Sequence, residues 1–451
     1  MDKSSLITEG DINFTDERKK WDLQITDPAT AEILRDDARY FLHQSMSTPC
    51  LDVLESCKGS GMTTLSGKHL LDFHGNNVHQ LGYGNDFILN KIKEQMDRLP
   101  FSPRRYTNEP AVKLAKKLAT LLPGDLNRSL FAPGGTSVIG IALKLARVVT
   151  GKHKVVSLWD SFHGASMDAI AAGGEAVFKK HLGPMMPGVI GIPPPTHYRG
   201  IFGSADEDQL KYADYLEYII EKEGDIGAFI AETIRNTDVQ IPTIAYWKRV
   251  REICDKHGVL LILDEIPIAL GRTGKMFAFE NFGIEPDILC LGKGLGGGVI
   301  PFAAMIARDR FNVASDVSLG HYTHEKNPLG SVAASATITY IEDNHILQKV
   351  ASDSQWMKER LNQLKEKFQL IGDVRGIGLL WGIELVKDRT TKEKANEEAE
   401  KIMYHCLREG LSFKVSQGNV LQLSPALTIS RDELESAISI LTLAFENLAA
   451  S

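Results

Sequence analysis

Cysteine is scarce in this sequence. Cys50, Cys57, Cys254, Cys290 and Cys406 are scattered over 451 positions without a CxxC pair, which excludes a disulfide framework and the usual spacing of a structural zinc site. Long apolar runs are also missing. No stretch approaches the roughly 18 residues of a bilayer span, and the opening MDKSSLITEGDINF has no apolar signal core. Nor is there an excess of positive charge: 51 Lys and Arg against 58 Asp and Glu give a net charge of −7. That balance offers no footprint for nucleic acid and no polybasic patch for a membrane surface. Proline is limited to 18 residues and no low-complexity tract is visible, so collagenous and disordered classes drop out. The expectation is a soluble cytoplasmic protein, with Cys254 and Cys290 buried as reduced thiols.

What is present is ordinary globular material, 43% hydrophobic and 24% charged. At roughly 100–200 residues per domain, the length predicts about two to four domains. Residues 1–50 are polar and charge-mixed, with a break at Asp27-Pro28 and a weak helical pattern near 30–45. They read as an arm or N-terminal helix packed on another part of the chain. Residues 61–73 alternate around a Ser-Gly turn, a hairpin signature. Apolar spacings of three and four predict amphipathic helices over 86–99 and 110–122.

From about 129 to 305, short apolar runs alternate with helical stretches. The runs are at 155–159, 226–231, 259–263 and 288–291. Runs without polar alternation predict a mostly parallel sheet covered on both faces. Long helices are expected at 329–342 and 345–368. A C-terminal block then mixes strands (377–386, 419–424) with helices (393–408, 431–448). The boundaries expected are 1–75 for the arm and part of a small domain, 76–330 for a large α/β domain, and 331–451 for a C-terminal α+β small domain.

In open α/β sheets, ligands bind beyond the carboxyl ends of the strands. Three apolar runs end in residues foreign to a core: Glu232-Thr233, Asp264-Glu265 and Gly292-Lys293-Gly294. A carboxylate and an amine delivered to one rim invite a chemical reading, with a structural Asp264–Lys293 ion pair as the plain alternative. Phe131-Ala-Pro-Gly-Gly-Thr-Ser137 precedes a helix running to about Arg147. Its glycines, hydroxyls and helix-start amides would cradle a phosphate, or simply form a capped turn. No P-loop is present, and GKGLGGG at 292–298 lacks the spacing of a dinucleotide fingerprint. Phe162, in Phe162-His163-Gly164, would either stack on a flat ring or fill a core.

These pieces, in this order, resemble the class III aminotransferases, fold-type I enzymes that use pyridoxal 5'-phosphate. The resemblance runs from about 60 to 448. It is most specific in LILDEIPIALGRTGKMFAFENFGIEPDILCLGKGLGGG (261–298), with support from KLAR (144–147), FHG (162–164), KNPLG (326–330) and SPALTIS (424–430). It implies a large domain with a seven-stranded type of sheet plus a small α+β domain drawn from both chain ends. It also implies that Lys293 is the Schiff-base lysine that later moves protons, and that Asp264 pairs with the pyridine nitrogen. Gly135 and Thr136 would hold the phosphate, Phe162 would stack on the ring, and Glu232 would orient its neighbours. Thr323 would reach the phosphate of the neighbouring subunit, which makes a homodimer with shared sites.

Departures from the family pattern bear on the reaction. The family's DEVQ stands here as Asp264-Glu265-Ile266-Pro267, its SEAN as Ser137-Val138-Ile139-Gly140, and the Glu of its QGE as Thr237 after Arg235-Asn236. An Arg that grips the substrate α-carboxylate falls at Gln422. Replacing a guanidinium by an amide removes a bidentate clamp, which argues against an α-amino acid co-substrate unless another Arg takes over. Arg235, Arg104 and Arg105 are candidate anion readers, with His79 as an assistant; each has the alternative of an ordinary solvated charge on a helix surface.

The chain is similar to a branch of lyases that eliminate a β-substituent from small amino-phosphorus compounds. That likeness implies an ammonia-lyase acting on 2-amino-1-hydroxyethylphosphonate. Lys293 would take a proton from the carbon bearing nitrogen, hydroxide would leave the adjacent carbon, and hydrolysis would give ammonia and phosphonoacetaldehyde without a keto acid. The alternatives are an ω-transaminase passing a terminal amino group to pyruvate and a catalytically inactive cofactor-binding protein.

Overall fold

The computed structural model describes residues 15–44 and 50–450; the first stretch of the expected arm, 1–14, lies outside the described residues. The chain divides into two units. One takes the described residues up to Asn85, Thr237–Val239 and those from Gln348 onward; the other takes Asp86–Asn236 and Gln240–Leu347. The division thus falls after Asn85 and Leu347 rather than after 75 and 330.

The first unit opens with α1 (Asp16–Asp22) and α2 (Pro28–Tyr40). Asp27 caps α2 by accepting the Thr30 N–H, and Pro28 occupies the first turn, where no N–H is needed. Trp21 on α1 is buried in a small core with Leu70, Tyr404 and Leu407, so this helix does pack on residues distant in sequence. The hairpin expected at 61–73 is present as β2 (Gly61–Thr64) and β3 (His69–Asp72), preceded by β1 (Leu54–Lys58).

The second unit runs through α3 (Asp86–Arg98), α4 (Glu109–Leu121), β4 (Leu126–Ala132), α5 (Gly135–Thr150), β5 (Lys154–Leu158), α6 (Met167–Ala172), β6 (Val189–Ile192), α7 (Gln209–Glu223), β7 (Ile226–Glu232), α8 (Ile244–His257), β8 (Leu260–Asp264), β9 (Ile288–Leu291), β10 (Ala303–Arg308) and α9 (Pro328–Asp343). Its strands form one seven-stranded sheet in the order β4-β10-β9-β8-β7-β5-β6. β10 runs antiparallel to both its neighbours, β4 and β9, and the other six strands share one direction and end on the same rim. β7, β8 and β9 are buried along their whole length, which is why their sequences show no polar alternation. On α5, Val138, Ile141 and Leu145 recur at helical spacing and share a core with Ile230, Ile262 and Cys290. Each such fully buried aliphatic side chain is worth roughly 1.5–3 kcal/mol.

The chain returns to the first unit along α10 (Ile346–Lys367), then β11 (Ile371–Ile377), β12 (Leu380–Leu385), α11 (Asn396–Arg408), β13 (Leu411–Ser412), β14 (Lys414–Ser416), β15 (Val420–Leu423) and α12 (Arg431–Ala450). β13 joins β3 to give β1-β2-β3-β13, and a second sheet has the order β11-β12-β15-β14. Both ends of the chain therefore build this α+β unit.

Candidate active site

The carboxyl-terminal rim of the large sheet brings four expected residues onto adjacent strands. Glu232 ends β7 and lies in register with Asp264 at the end of β8, and Asp264 in turn is in register with Cys290 on β9. Lys293 follows β9 by two residues, and Phe162 follows β5, the other neighbour of β7. The sheet topology, not local sequence, collects these groups.

Asp264 is buried, and its two oxygens are both engaged: Oδ2 accepts from His163 Nδ1 at 2.8 Å and Oδ1 from the Ile266 N–H at 3.0 Å. Among the described residues it makes no ion pair with Lys293, so the plain structural pairing is not what the fold builds. His163 stands in Phe162-His163-Gly164, where nothing local marks it as the partner of Asp264. Its other nitrogen, Nε2, is buried with no hydrogen-bond partner among the described residues.

Glu232 accepts the Phe162 N–H at 3.2 Å and the Asn236 N–H at 2.9 Å. Burial raises its pKa, with the Asp264 charge adding to the rise and His163 opposing it. Phe162 packs its ring on Phe178 at 4.5 Å, the Gly174 N–H donates to Ser161 O at 2.8 Å, and buried Glu175 pairs with Arg235 at 3.4 Å. Arg235 is therefore held close to Glu232, with part of its charge already met by a carboxylate.

Lys293 is half-buried and has φ 48°. A lysine adopts this left-handed backbone only where its surroundings impose it, a common mark of functional sites. Burial lowers its pKa, and the charges of Asp264 and Glu232 pull it partly back. The result favours a neutral amine more than free lysine does, which suits a proton carrier.

Gly135 and Thr136 begin α5, a 16-residue helix whose N-cap, Gly134, supplies no side-chain cap. The Ser137 N–H turns back to Gly134 O at 3.1 Å, while the Gly135 and Thr136 amides before it can meet a ligand, and the helix dipole favours an anion. A Cβ on Gly135 would lie 2.9 Å from the Ile266 side chain, which also reaches to within 3.1 Å of the place of a Cβ on Gly292. Ile266 thereby lines the space between the start of α5 and the Lys293 segment. In the sequence it appeared only as a departure from a family pattern.

The remaining expected residues lie apart from this cluster or in the other unit. Arg104 and Arg105 are exposed, with Arg104 bonded to His321 at 2.7 Å. Thr323 is exposed in the turn before α9. His79 belongs to the first unit, buried with its Nε2 3.2 Å from Asp72 O and its ring stacked on Tyr83. Gln422 is buried on β15, with Gly382 and Lys414 as its register partners; burial pushes the Lys414 ammonium down to about 7.

The rim therefore offers uncapped amides, a buried carboxylate fixed by a histidine, and a desolvated amine. That donor set matches the three polar ends of pyridoxal 5'-phosphate: its phosphate, its ring nitrogen and its carbonyl. Comparison with known proteins agrees. The family Aminotransferase class-III matches residues 43–445. The (R)-1-hydroxy-2-aminoethylphosphonate ammonia-lyase of Vibrio splendidus is 60% identical over 448 residues, covering 96% of this chain and 94% of that protein. The leucine/methionine racemase of Thermococcus litoralis is 35% identical, covering 90% and 93%. An amine transaminase from an uncultivated Pseudomonas species, solved in its PLP-bound form, superposes with a TM-score of 0.84 at 29% identity, covering 90% of this chain and 98% of that one. The chain belongs to the class III aminotransferase family, whose enzymes depend on pyridoxal 5'-phosphate.

Proposed function

We propose that this protein is an ammonia-lyase that converts (R)-2-amino-1-hydroxyethylphosphonate to phosphonoacetaldehyde and ammonia, a step of phosphonate breakdown. The observation that carries the reading is the 60% identity, over 96% of the chain, to a protein named for this reaction. Gln422 supports it from the sequence: a neutral amide stands where the family pattern has a carboxylate-gripping arginine, so an α-amino or α-keto acid loses its clamp.

When bound, the cofactor would supply an electron sink conjugated, through the amine nitrogen, with the carbon that bears it. The other parts belong to this chain. Asp264, fixed by His163, would hold the ring nitrogen, Gly135 and Thr136 would take the phosphate, and Phe162 would stack on the ring; Glu232 sets Phe162 and Asn236 through their amides. The Lys293 amine removes the proton from the carbon bearing nitrogen, and hydroxide leaves the neighbouring carbon. Water then completes release of ammonia, so no keto acid is consumed. Arg235 is the foremost candidate to read the phosphonate, since it alone of Arg235, Arg104, Arg105 and His79 is tied to the Glu232 cluster by a contact within the large unit. Two copies of the chain form a homodimer, with exposed Thr323 reaching the neighbouring phosphate. Scattered cysteines, with no disulfide among the described residues, support a reducing cytoplasm, and no helix among the described residues is long and apolar enough to cross a membrane.

The test is ammonia and aldehyde release from 2-amino-1-hydroxyethylphosphonate with pyridoxal 5'-phosphate present and every keto acid absent. Steady turnover is expected. Turnover only after pyruvate is added, with alanine appearing, would make the protein an ω-transaminase instead.

A further inference from the structure

The start of α5 carries a side-chain chain that the proposed reaction does not use. The Thr136 hydroxyl lies 2.5 Å from Ser166 Oγ and also accepts the Ser166 N–H at 3.0 Å. Ser166 Oγ in turn donates to Asp168 Oδ1 in a short hydrogen bond, and the Ala169 N–H donates to the same oxygen at 2.9 Å. An ionised carboxylate only accepts. The Ser166 proton is therefore committed to Asp168, and the single Thr136 proton is committed to Ser166. What Thr136 Oγ retains is lone-pair density, and an acceptor turned toward a phosphate dianion is repelled.

Two glycines make this chain possible. Gly164, two residues before Ser166, has φ 132°, and a Cβ there would lie 2.6 Å from Thr136 Cβ and Oγ1. Gly140 lies inside α5, where glycine is less favourable than alanine; a Cβ there would lie 2.4 Å from Asp168 Oδ2. A left-handed turn and a weakened helix both serve one close approach, which argues that the approach has a use.

We propose that Ser166 and Asp168 are positioning residues that lock Thr136 by its hydroxyl, so that the start of α5 grips the cofactor phosphate through main-chain N–H groups rather than through the Thr136 side chain. The proposal rests on the reading that the phosphate lies at this helix start, and it is independent of which amine the enzyme consumes. The side chains of Ser166 and Asp168 never touch the cofactor; they act through Thr136.

The experiment measures the rate at which holoenzyme releases pyridoxal 5'-phosphate, trapped by an excess of a tight-binding apoenzyme, together with the melting temperature of each apoprotein. The variants are Thr136→Val, Thr136→Ser, Ser166→Ala, Ser166→Thr, and Thr136→Val with Ser166→Ala. Ser166→Ala is expected to speed cofactor loss at least fivefold with little change in apoprotein melting, and Ser166→Thr is expected to restore the slow rate. The double variant should release no faster than Thr136→Val alone, because both changes open the same lock. Release within twofold of wild type for Ser166→Ala, beside a tenfold or greater rise for Thr136→Val, would overturn the proposal and make the Thr136 hydroxyl a direct ligand. Equal release from wild type and from both single variants would overturn it as well. Cofactor loss is read without substrate, so an absence of lyase turnover would count against the proposed reaction and leave this measurement standing.

Discussion

His163 Nδ1 lies 2.8 Å from Asp264 Oδ2, and both side chains are buried. Because the carboxylate only accepts, Nδ1 carries the proton and the tautomer is fixed. With the Ile266 N–H on its other oxygen, Asp264 cannot rotate freely. A hydrogen bond to a charged group is worth about 1.5–3 kcal/mol, or roughly ten- to a hundredfold in rate. His163→Phe should therefore lower kcat by roughly that factor at saturating cofactor, with His163→Gln falling between it and wild type. Steady-state ammonia release checks this, and a kcat within twofold of wild type for His163→Phe would remove His163 from the machinery.

Lys293 gives a prediction in pH. The amine must be neutral to accept a proton, so kcat should rise with pH along an acid limb. Burial lowers the Lys293 pKa, while Asp264 and Glu232 raise it. The limb should lie below the range of an ordinary lysine, near 10.4. Removing the Glu232 charge removes an upward pull, so Glu232→Gln should move the limb to still lower pH. A pH–kcat profile of both proteins decides the point; movement to higher pH in the variant would contradict the assignment. Lys293→Ala should release no ammonia at any pH.

How much of this was readable in advance depended on where the signal lay. Asp264, Glu232 and Lys293 were legible because each interrupts a continuous apolar run, and burial leaves such runs no polar positions to mimic the pattern. His163 was not, because its partner lies 101 positions away and nothing local marks a histidine that meets it. β4 and β10 were missed for different reasons. β4 mixes polar and apolar residues at one edge of the sheet, while β10 reads AAMIAR, rich in alanine and poor in β-branched side chains. Ser166 and Asp168 were silent in the sequence, since their link to Thr136 requires the turn at Gly164 to bring α6 against α5. The residues that carry charge at strand ends could be named; the residues that hold them in place required the fold.

Glu265 tests the cost of the buried carboxylates. It is fully buried, accepts from Thr233 Oγ1 at 2.8 Å and from the Ala278 and Phe279 N–H groups at 2.7 Å each, and burial raises its pKa to about 7. The folded protein thus binds this proton more tightly than the unfolded chain, whose glutamates titrate near 4.3. Stability from this group is fully present below the unfolded value and is lost as pH rises toward about 7, on the order of 4 kcal/mol at most. Glu265→Gln lacks the titration but places an amide against donors, so it should be less stable than wild type at low pH. The gap in melting temperature between the two proteins should narrow as pH rises from about 4.5 to about 7. A gap that widens over that window would show that hydrogen bonding, not desolvation, governs this carboxylate.

Thr323 makes the proposed homodimer testable without imaging it. The residue is exposed in a turn before α9, so within one chain its hydroxyl has no evident packing purpose. If it completes the neighbouring phosphate site, Thr323→Val should weaken cofactor binding by roughly the value of one charge-assisted hydrogen bond, about tenfold. The decisive version mixes subunits at limiting cofactor. A Lys293→Ala homodimer has no amine at either site, and a Thr323→Val homodimer has two weakened sites. In a hybrid of the two, one site carries both defects while the other draws Lys293 from one chain and Thr323 from its partner, and so is intact. Mixing the two proteins under conditions that exchange subunits should therefore raise ammonia release above that of either parent, toward half of the wild-type rate per dimer when hybrids predominate. If Thr323 instead served its own chain, each hybrid would place the two defects in separate sites. Mixing would then yield only the average of the parents.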